Sequence, residues 1–294
     1  PSGWRIGSYS GLVLGASHEA SGSDHDERIA DISQPEEAET PLPPDDILLF
    51  PAQRYAGNCL HTVFEQADFT DENTWDKAIE NALTRHPPYG RSNPENGKPL
   101  KALGPMVQRM LRDVLHTRLQ DGVRLADIGK NQRLTELEFF LPVTHLPAAS
   151  LYELLSPHYA IPQLAFQPLE GYLKGFIDLM FTHAGRFYIL DWKSNLLGRR
   201  QADYGQVGIS NAMSEHSYHL QHLLYTVALN RYLAQRIPDY DYKRHFGGVF
   251  YLFIRGVRPE WQMENGNPSG VFFHRADEGL IRQLDALIHT GGNR

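Results

Sequence analysis

The chain has a single cysteine, Cys59, among 294 residues. That excludes an internal disulfide and any four-cysteine zinc or iron–sulphur centre, and a reducing, cytoplasmic setting is expected. No apolar run approaches the roughly 20 residues of a membrane-spanning helix, and no secretory signal segment is visible; a membrane is not expected among the partners. No GxxxxGK[ST] phosphate loop occurs, so neither an ATPase motor of that type nor a nucleotide site is expected here. No repeat with a period of 20 to 50 residues is present. The chain opens Pro-Ser-Gly-Trp without methionine, as expected of a domain cut from something longer.

Positive charge is also scarce. Lys and Arg number 28 against 35 Asp and Glu, a formal net charge of −7, which argues at first sight against a nucleic-acid partner. Its distribution reverses that. Residues 16–46 hold ten acidic residues against Arg28 alone, which leaves the rest of the chain at about +2. The same stretch is rich in Ser and Pro and poor in aromatics, the composition of a segment that cannot bury enough apolar surface to fold. It reads as a flexible acidic loop whose charge is solvation. The remaining body is near neutral and could take DNA in a local groove.

With 41% hydrophobic and 21% charged residues the whole chain has the composition of a soluble globular protein. WRIGSYSGLVL is a short apolar piece expected to dock on the body. GNCLHTVFEQADF carries a helical stripe at Leu60, Val63, Phe64 and Ala67. After the looser HPPYGRSNPENGKP, a second stripe from Met106 to Leu119 follows Pro105, read as a first-turn proline. LTELEFFLPV alternates like a strand ending at Pro142, and SLYELLSPHY reads as a short helix. A long helix is expected over about 211–236, closed by Pro238. HFGGVFYLFIRG is a continuous apolar strand of the kind buried on both faces, and a final helix is expected over about 277–289. The order of elements implies an α/β domain on a mixed sheet.

The chemistry concentrates in FIDLMFTHAGRFYILDWKS, residues 176–194, where Asp178, Asp191 and Lys193 interrupt apolar strand. Buried charges are costly unless paired. His183-Ala184-Gly185-Arg186 reads as a hairpin turn. If the loop is Ala184-Gly185, Asp178 lies directly opposite Asp191, with Lys193 on the same face as Asp191; a loop one residue different makes the pairing diagonal. Opposed like charges destabilise a sheet. Either Lys193 and an arginine neutralise the pair structurally, or a divalent cation sits between the carboxylates and the lysine faces the same substrate. Elsewhere, Glu136 and Glu138 share one face of LTELEFF, and Gln221 and Tyr225 share a helix face. His61 alone reads as an ordinary core or surface histidine. Arg199 and Arg200 could contact a nucleic-acid backbone or simply be solvated, and His216, His219 and His222 are expected at the surface.

GYLKGFIDLMFTHAGRFYILDWKSNLLG, with GNCLHTVFE, LTELEFFLP, QHLLY and HFGGVFYLFIRG in this order, resembles the RecB-type nuclease domain of the PD-(D/E)XK phosphodiesterase superfamily. The resemblance covers most of the chain. It implies a single restriction-endonuclease-like domain over 1–294, a mixed central sheet flanked by helices, with helicase domains absent from this stretch. It makes Asp178 and Asp191 metal-binding carboxylates and Lys193 the catalytic lysine. His61 completes the metal site with the backbone carbonyl of Trp192, where the family usually has tyrosine. Glu136, and less directly Glu138, stand beside the active site, and Gln221 and Tyr225 near the DNA phosphates. The cofactor implied is Mg²⁺, with Mn²⁺ also accepted and no iron–sulphur cluster. The partners implied are single DNA strands from unwound duplex and, in a full complex, RecC- and RecD-like subunits. Two alternatives stand beside this reading: the nuclease domain of an AddA-type or stand-alone RecB-like protein, and a docking or DNA-binding module with a silent site.

Overall fold

The computed structural model describes residues 4–14, 41–90, 100–263 and 265–290. Most of the acidic stretch (16–40), and residues 91–99 of the looser stretch, lie outside them. In chain order the elements are β1 (Arg5–Ser8), α1 (Tyr9–Leu14), α2 (Arg54–Gln66), α3 (Trp75–Arg85), α4 (Leu100–His116), β2 (Arg133–Leu146), α5 (Ala148–Leu155), β3 (Leu169–His183), β4 (Arg186–Lys193), α6 (Gln206–Glu215), α7 (Tyr218–Ala234), α8 (Tyr242–His245), β5 (Phe246–Phe253), β6 (Val271–His274) and α9 (Glu278–Thr290).

The strands form one mixed sheet in the order β1-β3-β4-β5-β6, with β2 added to β3. β1 runs parallel to β3 and β4 parallel to β5, while the β2–β3, β3–β4 and β5–β6 pairs are antiparallel. Every residue of β5 is buried, as its unbroken apolar run requires. The two faces carry separate cores, and alternation along the strands sorts residues between them. Tyr188, Leu190 and Trp192 of β4 pack with α2, α3 and α4. Ile189 faces the other way, into the core built on α7 and α9. That arrangement is the expected α/β fold, with helices on both sides of a mixed sheet.

Local expectations differ from the structure at several places, each for a physical reason. α4 begins at Leu100, so Pro105 sits inside the helix rather than in its first turn. The missing N–H costs one helical bond, and the buried stripe Leu103, Met106, Val107, Met110 and Leu111 holds the turn regardless. β2 continues through Pro142 to Leu146; among the described residues it pairs with β3 alone, so the proline falls on an edge strand. The long helix expected over 211–236 is two, α6 and α7, divided at Ser217, whose φ of 58° is left-handed. At the end of the acidic stretch, Asp46 is not solvated: both its oxygens accept from the Arg258 guanidinium at 2.7 Å, and the pair is buried. Burial alone would raise its carboxyl, but that fork and the Leu48 N–H hold it below the usual range.

His219 and His222 also depart from expectation. α7 is apolar nearly all round, so it is enclosed rather than half-exposed, and His222 is fully buried. It packs with His219, His274 of β6 and Tyr159, with ring centroids 5.3 to 5.7 Å apart, and the Tyr159 hydroxyl meets His274 Nε2 at 2.9 Å. Burial, with mutual repulsion, pushes His222 well below the ordinary histidine range and His219 down to about 4; burial also lowers His274. The native state therefore refuses protons that the unfolded chain accepts. Stability is full above about pH 6.5, the unfolded value, and is expected to fall as pH drops from there toward 4. His222→Leu should flatten that fall in metal-free thermal melts. Parallel pH curves for variant and wild type would show that the acid sensitivity originates elsewhere.

Candidate active site

The hairpin has the expected register. Ala184 and Gly185 have φ of 48° and 76°, the positive values that a two-residue type I′ loop demands, and pairing runs from His183↔Arg186 to Leu179↔Leu190. The next step in that register brings Asp178 opposite Asp191. There the ladder stops: the Trp192 N–H donates to Asp178 Oδ2 at 2.9 Å. One strand's carboxylate has replaced a carbonyl as acceptor, and the two aspartates remain electrostatic neighbours. Burial, then Asp191, then Glu136 raise the Asp178 carboxyl well above the ordinary range, against the opposing pull of Lys193 and the Trp192 N–H.

Lys193 ends β4 and is 2% exposed. Its ammonium lies 2.7 Å from Asp191 Oδ1, donates to Gln221 Oε1 at 3.2 Å and stands 3.8 Å from the centre of the Tyr218 ring. Gln221 is itself held: it accepts from the Tyr251 hydroxyl at 2.9 Å and donates to the Tyr225 hydroxyl at 3.1 Å. The ammonium is thus oriented by a carboxylate, an amide oxygen and the faces of Tyr218 and, at 5.2 Å, Tyr251.

α2 brings His61 from the opposite side. Its stripe of Leu60, Val63 and Phe64 is buried, and Phe64 stacks on the Trp192 indole at 4.0 Å between centroids, which fixes the helix to the hairpin. His61 Nδ1 is 3.5 Å from Asp178 Oδ2. Glu65 follows one turn later, its carboxyl raised by burial. From β2, Glu136 occupies the one position between Thr135↔Leu179 and Leu137↔Ile177 where pairing with β3 lapses, opposite Asp178. Its φ of 51° is left-handed, a conformation that costs a non-glycine residue of order 1–3 kcal/mol and often marks a functional site. Burial, then Glu65 and Asp191, push the Glu136 carboxyl up to about 7.

The donor set suits a divalent cation. Asp191 pairs with Lys193, and the carboxyls of Asp178 and Glu136 are raised first by burial and then by neighbouring carboxylates, a repulsion that a cation would relieve. Carboxylate oxygens with one imidazole nitrogen are ligands of Mg²⁺ and Mn²⁺. Among the described residues, no three His, Cys, Asp or Glu side chains are already gathered as a coordination shell; Asp178 is turned instead to Trp192 and His61. Beside the cluster opens a cleft of about 400 Å³, lined by Arg54, His61, Ser194, Asn195, Asn211 and His216 among others.

The structure therefore brings together His61, Glu136, Asp178, Asp191 and Lys193. Gln221 and Tyr225 are both buried, behind the lysine. Trp192 contributes its N–H and its ring through the contacts already described. Glu138 is exposed and pairs with Lys174 at 2.7 Å. Arg200 is bound to Asp203 at 3.0 Å. Sequence reasoning missed Glu65, although GNCLHTVFE spaces it four residues from His61, on the same helix face. It also missed Tyr218 and Tyr251, which reach Lys193 only through tertiary packing.

Comparison with known proteins agrees with the resemblance read from the hairpin. A family model described as the PD-(D/E)XK nuclease superfamily matches residues 43–288. The RecBCD enzyme subunit RecB of Escherichia coli (strain K12) is 38% identical over 245 residues, 81% of this chain and 19% of its own length. The RecB subunit of Haemophilus influenzae is 36% identical over 251 residues, 83% and 19%. That of Mycolicibacterium smegmatis is 31% identical over 320 residues, 97% and 29%. The chain spans less than a third of the length of these relatives.

Proposed function

This chain belongs to the PD-(D/E)XK nuclease superfamily, and from that premise we propose that it is the metal-dependent deoxyribonuclease domain of a RecBCD-type helicase–nuclease. It hydrolyses phosphodiester bonds in DNA strands unwound by helicase domains outside this stretch, in the cytoplasm and in company with RecC- and RecD-like subunits. The observation that carries the reading is the carboxylate cluster with Lys193 at the end of a buried hairpin, next to a cleft that His61 and Ser194 help to line.

Asp178, Asp191, His61 and the Trp192 carbonyl would hold the cation, Mg²⁺ or Mn²⁺. When bound it supplies Lewis-acid stabilisation of the phosphodiester and an acidified water. Lys193, held by Asp191 and Gln221, presents a fixed positive charge to the negative charge that develops on the phosphoryl oxygens. Glu136, raised to about 7, can accept a proton near neutral pH, and the water attacking phosphorus must give one up. Gln221 acts on the DNA through the lysine it orients, with Tyr225 behind it. The cleft beside His61 and Ser194 receives the strand.

A plasmid-nicking and single-strand digestion assay tests this. Cleavage is expected with Mg²⁺ or Mn²⁺ and none with EDTA; a folded protein that cuts nothing in either metal refutes the enzyme reading and favours a silent binding module.

The charge distribution adds a prediction. Residues 16–40 contain eight acids against Arg28, so their deletion should leave DNA affinity unchanged or higher, in binding that weakens steeply with salt. A clear fall in affinity, read by fluorescence anisotropy, would give the stretch a part in recognition. The deletion must stop short of Asp46. Asp46→Ala leaves the Arg258 guanidinium buried without its fork and should cost about 3–5 kcal/mol of stability.

A further inference from the structure

Arg255, two residues past β5, is 1% exposed and pairs with no carboxylate among the described residues. Its guanidinium instead donates to four main-chain carbonyls. Nε donates to Ser194 at 2.7 Å, one terminal nitrogen to Ile47 and Phe50 at 2.9 and 3.0 Å, and the other to Pro51 at 2.5 Å. Burial lowers its guanidinium to about 10, so it remains charged at neutral pH. A buried cation is costly to keep, and this one joins two segments that meet at the candidate site. Ser194 directly follows Lys193, whose own carbonyl accepts from the Ile254 N–H at 3.0 Å. Residues 47–51 lead straight into α2, which carries His61.

α2 needs such an anchor. Its N-cap, Gln53, makes no side-chain cap bond, so the first turn lacks the local support that a capping side chain gives. The segment before it is held at one end by the Asp46–Arg258 pair and in the middle by Arg255. The helix then passes so close to the end of β4 that a Cβ on Gly57 would come within 2.9 Å of Ser194 Oγ. Arg255 and Gly57 thus both stand where the helix bearing His61 meets the strand bearing Asp191 and Lys193.

We infer that Arg255 is a positioning residue of this site: its carbonyl clamp, with the close Gly57–Ser194 approach, sets His61 against the hairpin carboxylates. This rests on the metal-site reading above. Arg255 reaches neither metal nor DNA; it acts through the placement of α2.

Arg255→Lys keeps the charge and loses the fork. In that variant Mn²⁺ affinity, measured by calorimetry, should fall about 10–100-fold, the usual scale for groups that orient metal ligands. kcat should fall with KM for DNA unchanged, and backbone amides in the first turns of α2 should exchange faster without metal. A merely structural arginine would lower the melting temperature and leave Mn²⁺ affinity and the kcat of the folded protein at wild-type values, and that result overturns the inference. Should Arg255→Lys fail to fold, Gly57→Val decides: it pushes α2 from Ser194 without disturbing a buried charge. The same loss of Mn²⁺ affinity supports the inference, and wild-type affinity overturns it. Wild-type protein that binds no Mn²⁺ overturns the metal-site reading and the inference with it.

Discussion

Lys193→Ala is expected to slow DNA cleavage by about 10²–10³-fold, the loss that follows removal of one charge-stabilising donor from a preorganised site, while Mn²⁺ binding survives. The ammonium is 2% exposed, with Asp191, Gln221 and the Tyr218 ring fixing its direction, so little reorganisation is needed when charge develops on the phosphate. Alanine removes that charge but none of the proposed metal ligands. The variant also leaves Asp191 buried without its ammonium, at a cost of about 3–5 kcal/mol in the metal-free protein. Rates should therefore be compared in saturating Mn²⁺, with folding checked by circular dichroism and affinity by calorimetry. A folded Lys193→Ala variant that cuts at the wild-type rate would remove the lysine from the mechanism. One that also loses Mn²⁺ would make the lysine a support for the ligands rather than a group facing the phosphate.

The parts of this site legible in the sequence are those whose signal is local. A two-residue turn between apolar runs sets the hairpin register, and period-2 alternation puts Lys193 with Asp191. A helical stripe shows which face of α2 is buried, and the unbroken run of β5 announces a strand covered on both sides. What could not be read depends on residues far apart in the chain. Asp46 looked like one more solvated acid in a disordered composition, because its partner Arg258 is 212 positions away. His219 and His222 looked exposed because helical spacing alone does not say that β6 will cover them. The pause in pairing at Glu136 has no sequence marker, since a left-handed glutamate is a tertiary imposition. Glu65 was legible and overlooked: its spacing from His61 is the ordinary one for a shared helix face.

Asp178→Asn and Asp191→Asn are expected to part company in stability while both abolish metal-dependent cleavage. Asp191 is buried and directly paired with Lys193. Its amide analogue leaves the ammonium without a counter-charge, and the metal-free variant should lose about 3–5 kcal/mol. Asp178 stands differently. Its carboxyl is raised by burial and by the charges of Asp191 and Glu136, so the folded state holds the proton more tightly than the unfolded chain. The ionised group therefore costs stability that is lost as pH rises from the unfolded value near 3.8 through the folded one. Asparagine removes that cost, and its carbonyl oxygen can still accept from the Trp192 N–H. Metal-free Asp178→Asn should accordingly be as stable as wild type at pH 7, or more so. Wild type should gain on adding Mn²⁺, by roughly 2.7 kcal/mol at 100 times the dissociation constant, and both variants far less. Thermal melts in EDTA and in excess Mn²⁺ measure all of this. Equal destabilisation of the two variants in EDTA would make Asp178 a structural partner like Asp191, held for its bonds to Trp192 and His61. Equal stabilisation of all three proteins by the metal would mean that the ion binds away from the hairpin.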